Sequence, residues 1–182
     1  MQFWAQIFLA GITGAIIALI GNVILKKLEY SHEYYKILIR KRLEAYEFLE
    51  KQIAILKQSV FSAKDGKTYH VMFSQGVKGC FELQSNLSLA FAFSMWISNS
   101  TLDIMSKINR VLLEEMIYLK EDSSSEELVD LGKKLYIKLA ILRDELEESV
   151  IIDLRNIHNI KTFLNTKKKH GFSEITVHKH KE

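Results

Sequence analysis

No proline occurs in this chain of 182 residues, cysteine occurs once, as Cys80, and no charged side chain appears between Met1 and Leu25. Each absence excludes something. Without proline, no residue forces a helix to kink or stop. A lone cysteine excludes an intrachain disulfide framework, suits a reducing compartment and reads as a small core residue. Glycine is scarce beyond Gly79, and Leu, Ile, Lys and Glu are abundant, so helix is favoured over sheet and the expected fold is all-α. Phosphate loop, metal-ligand framework and Ser-His-Asp arrangement are all missing. Neither a cofactor nor a metal is expected, and the chain reads as a non-enzyme. Nor is there a broad excess of one charge: 20 basic residues face 20 acidic ones from residue 26 to 164, and the surplus, five against two, lies beyond. A balanced body argues against a wide nucleic-acid-binding face.

What is present begins with the uncharged run. Twenty-five helical residues reach about 37 Å against a hydrocarbon core of roughly 30 Å, which predicts a transmembrane helix. Basic residues follow this run (Lys26, Lys27, Arg40, Lys41, Arg42) and none precedes it. That order reads as an uncleaved anchor with its amino terminus outside and residue 26 onward in the cytoplasm. Within the run, Gly11, Gly14, Ala18 and Gly21 share a face that permits close approach of helices. Gln6 and Thr13 share another, a candidate polar face of a pore.

Three regions are expected: an anchor over residues 1–25, a helical bundle over 26–165 and a basic tail over 166–182. The first helix should run on unbroken to a turn at Asp65-Gly66, with Tyr46, Leu49, Ile53 and Leu56 on one face interrupted at Arg42. Helical pattern resumes at Thr68, and Gly76 and Gly79 suggest close packing against a neighbour. Residues 87–97 are too few for a second crossing and read as a buried segment, a membrane-surface segment or a subunit contact. Ser100 and Asp103 approximate a capping box, and the serines at 123–125 can cap a helix carrying Glu126 and Glu127. From Leu128 to Leu164 a three-and-four spacing predicts one helix of nearly forty residues. Lys167, Lys168 and Lys169 could touch anionic lipid or RNA; His178 and His180 read as tail rather than metal ligands.

Late in that last helix stands Arg155-Asn156-Ile157-His158. The stretch resembles the HEPN helical bundles, whose active members set an arginine, a polar residue and a histidine late in a long helix to cleave RNA between two subunits. There the histidine usually follows the arginine by four to six residues, so His158 comes early and the cluster is degenerate. The whole layout, one span and a four-to-five-helix HEPN-like cytoplasmic body, is similar to the small membrane accessory proteins of type VI-B CRISPR systems. That resemblance implies a homo-oligomeric ring in the bacterial inner membrane, in contact with the bilayer and functionally linked to an RNA-guided CRISPR nuclease. Its pore would depolarise the membrane in antiviral defence. The alternatives are a membrane-tethered HEPN ribonuclease and a signalling or scaffold subunit without a pore.

Overall fold

A computed structural model describes residues 2–116, 119 and 123–167, without the side chains of residues 2–13, 15 and 16. It is all-α with five helices: α1 (Gln2–Lys57), α2 (Val77–Phe91), α3 (Asn99–Met116), α4 (Ser125–Arg155) and α5 (Ile160–Thr166). A short hairpin, β1 (Ser59–Phe61) and β2 (Thr68–His70), and a 3-10 turn at Val71–Gln75 lie between α1 and α2. The chain divides into two compact units, Met1–Lys41 and Arg42 onward. α1 is continuous, as its unbroken helical pattern requires.

The expected anchor does not stand. Among the described residues no helix is long and apolar enough to cross a membrane. The transmembrane helix over residues 1–25 is therefore corrected, and with it the single-pass inner-membrane placement, the outside-to-cytoplasm orientation and the membrane-depolarising pore of CRISPR defence. Gln6, Gly11 and Thr13 lie outside the described side chains. Gly14, Ala18 and Gly21 are on α1, and no atom approaches within 4 Å of a Cβ built on either glycine.

In the second unit, helical pattern was expected from Thr68, but a hairpin is there instead. β1 and β2 are antiparallel, with Ser59, Val60 and Phe61 opposite His70, Tyr69 and Thr68. Branched and aromatic side chains at 60, 61, 68 and 69 suit a pleated strand. The turn closes through Ser62 N–H to Lys67 O at 2.8 Å and Gly66 N–H to Ser62 O at 2.9 Å, with Gly66 at φ +66°. Lys133 of α4 holds that turn through Asp65 at 3.1 Å.

Gly76, at φ 81° and ψ −173°, ends the 3-10 turn in a conformation open only to glycine and starts α2. Close packing sets the next glycines: a Cβ on Gly79 would stand 2.6 Å from Met72 O, and one on Gly132 would stand 2.8 Å from the Phe73 ring. α4 is the spine of this unit, packing on α3, on β2 and on the 3-10 turn. Leu135, Leu139 and Leu146 of α4 are buried in the core with Met105, Ile108 and Leu112 of α3. Ser124 and Glu127 form a full capping box at its start. α3 begins earlier than expected, with Ser98 rather than Ser100 accepting from Thr101 N–H at 3.2 Å. Residues 87–97 do not form one buried segment: Leu87 and Ile97 are buried, whereas Leu89 and Met95 are exposed.

His70 closes β2 in full burial, its ring 5.0 Å from that of Tyr136. Burial pushes its pKa down from the ordinary 6.5. The unfolded chain then takes up the proton first. The stability that neutral His70 contributes is present above about pH 6.5 and is lost as pH falls through the lower folded value. Urea midpoints should therefore drop between pH 7.5 and 5 more in the native chain than in His70→Phe, which keeps an aromatic ring against Tyr136 without a titrating group.

Candidate functional site

Arg42 sits in the buried row of α1 that otherwise carries Ala45, Tyr46, Leu49 and Ile53, and it is only 2% exposed. A guanidinium held out of water needs partners for its donors and company for its faces. Arg42 finds both. Nη1 donates to Ile157 O at 3.1 Å, Nε to Trp96 O at 3.4 Å and Nη2 to the Tyr46 hydroxyl at 3.4 Å, while the Phe163 ring lies 4.0 Å from the guanidinium carbon. One side chain thus ties α1 to the turn before α3, to the turn after α4 and to α5.

The Tyr46 hydroxyl passes the connection on by donating to Asp153 Oδ2 at 2.7 Å. Thr101 donates to the same oxygen at 2.7 Å, Ser149 Oγ lies 2.8 Å from Thr101 Oγ1, and Ser98 donates to Thr101 at 3.1 Å. Burial, then the Asp153 carboxylate, raises the pKa of Tyr46, so the phenol stays protonated. Lys167, just beyond α5, donates to Ile97 O. Burial lowers its pKa to about 8, against the opposing pull of Asp153. Two neutral hydroxyls donate to one carboxylate oxygen, and no imidazole or thiol joins them. The arrangement fixes proton positions instead of activating a nucleophile.

Beside this cluster a groove of about 360 Å³ opens between α1 and α4. Leu43, Ile53, Val150, Ile151 and Leu154 give it an apolar lining, with Tyr46 at the junction with the polar network. Glu47 and Glu50 stand exposed on its edge, and Lys57 and Glu147 close one end as an ion pair. Such a groove accepts an apolar row flanked by positive charge.

The residues singled out in the sequence fall elsewhere. α4 ends at Arg155, Asn156 is its C-cap with its side chain donating to Ile152 O at 2.9 Å, and His158 lies in the following turn. All three are exposed. Because the helix stops, Arg155 and His158 do not share a helical face, and no group of three or more His, Cys, Asp and Glu side chains placed to hold a metal occurs among the described residues. The membrane-tethered HEPN ribonuclease is corrected on these grounds. Lys168, Lys169, His170, His178 and His180 lie outside the described residues.

Sequence reasoning passed over Asp153, Thr101 and Ser149. One signal was available: a charged Arg42 interrupting an apolar row asks for a partner, and Asp153 and Ser149 interrupt the corresponding row of α4. No protein family, no curated protein and no solved structure matches this chain.

Proposed function

We propose that this chain is a non-enzymatic, self-assembling helical module, a scaffold subunit whose N-terminal unit gathers copies of itself. The observation that carries this reading is the surface of α1 from Ile17 to Leu28. Ile17, Leu19, Ile20, Val23, Ile24, Leu25 and Leu28 are each more than half exposed, 54% at the least. At 100° per residue they cover about two thirds of the helix circumference, with Ala18, Asn22 and Lys26 on the remainder. A helix with so broad an exposed apolar surface is stable in water only when that surface is covered. Copies of the same helix supply that cover, and Gly14, Ala18 and Gly21 leave room for backbones to approach.

Sedimentation of the purified full chain tests it. The native protein should run as an assembly of two or more chains, and Gly14→Phe with Ala18→Phe should shift it toward single chains with unchanged helical circular dichroism. A native monomer, an assembly that ignores both substitutions, or single chains recovered on lipid vesicles would overturn the reading.

A further inference from the structure

We infer that the acid-edged groove between α1 and α4 receives residues 26–40 of α1 from a second copy of this chain. The inference rests on the self-assembly above and names a second contact within it. Groove and helix are complementary in three respects. In length, residues 26–40 and the groove wall over residues 43–57 each span about 21 Å at 1.5 Å per residue.

In shape, Tyr30, Tyr34 and Ile37 recur at spacings of four and three, so they form one row, and they are 79%, 55% and 55% exposed. Leu43, Ile151 and Leu154 of the groove, themselves 42%, 43% and 38% exposed, offer a matching apolar floor. In charge, Lys26, Lys27 and Arg40 flank that row, and Lys36 lies nearby, against only Glu29 and Glu33 in the same segment. On the groove, the Lys57–Glu147 pair is internally neutral, which leaves Glu47 and Glu50 to set a negative edge.

Neither glutamate and none of the four cations makes an ion pair among the described residues. Each copy holds one such helix and one such groove, so a second copy supplies both halves of the contact. This is helix-in-groove recognition, with apolar anchors supplying affinity and the charged edge supplying selection.

Mixed-copy cross-linking tests the proposal on the full chain. Tyr34→Cys protein is mixed with Ile151→Cys protein, both in a Cys80→Ser background, and oxidised with copper phenanthroline. A two-chain product containing both variants is expected. Adding Glu47→Lys and Glu50→Lys to the Ile151→Cys copy should reduce it at least tenfold, and Lys36→Glu with Arg40→Glu in the Tyr34→Cys copy should restore it. All these positions except the buried Cys80 are exposed, and circular dichroism checks the fold of each variant, the Cys80→Ser background included.

Assembly that persists by sedimentation without the cross-link overturns this contact and leaves the self-assembling reading standing. A cross-link indifferent to the charge reversals overturns the recognition proposed. Loss of assembly in the unsubstituted chain overturns both.

Discussion

Arg42→Met should lower the free energy of unfolding by about 2–4 kcal/mol, since each buried acceptor left without its donor costs about 1–3 kcal/mol. The thioether occupies the stem's volume but donates nothing. Ile157 O and Trp96 O lose their donor at the ends of their turns, and Phe163 loses the cation beneath its ring. Arg42→Lys should recover only part of the loss, because an ammonium cannot reach three acceptors in a plane and stack on an arene at once. Urea unfolding of the three proteins checks the order native, Lys, Met. A midpoint for Arg42→Met within error of the native value would show that the guanidinium is not the tie it appears in the geometry.

Gly132→Ala should destabilise the chain although it improves the helix. Alanine gains about 1 kcal/mol of helix propensity over glycine. The new methyl, however, would stand 2.8–2.9 Å from Phe73 carbons, among them Cβ and Cγ close to the backbone, and Phe73 is fully buried. Overpacking of this kind costs about 1–3 kcal/mol, enough to outweigh the gain. Phe73→Leu alone should also destabilise. Combined with Gly132→Ala it should cost less than the sum, since the smaller side chain releases the contact. Additive effects in that double-mutant cycle would place the strain elsewhere.

The same two residues show what was legible in the sequence. Periodicity marked α1, α3 and most of α4, and the Asp65-Gly66 turn and the Ser124 cap were readable because local chemistry alone sets them. Gly132 looked like a weak point in a helix; its use, admitting Phe73, belongs to a long-range contact. Similarly, the three-and-four spacing runs through residues 155–164 without a flaw, yet α4 stops at Arg155. The stop depends on Ile157 O finding a donor on α1, more than a hundred residues away, which no window of sequence can see. The strand at Thr68–His70 was lost for a similar reason, since three residues carry no period and take their identity from the partner strand. As for residues 1–25, hydropathy and the basic residues after them suggested an anchor, whereas among the described residues no helix is long and apolar enough to cross a membrane.

Cys80 sits at zero exposure in α2, with burial pushing its thiol up to about 11. The thiolate is the reactive species, so the intact protein should ignore alkylating reagents at neutral pH. Any labelling that does occur measures how often Cys80 is uncovered, by α2 lifting away from α3 and the 3-10 turn or by unfolding of the whole chain. The chain carries its own clock for opening, readable by mass spectrometry without an engineered thiol, and comparison with the rate of global unfolding tells local opening from global.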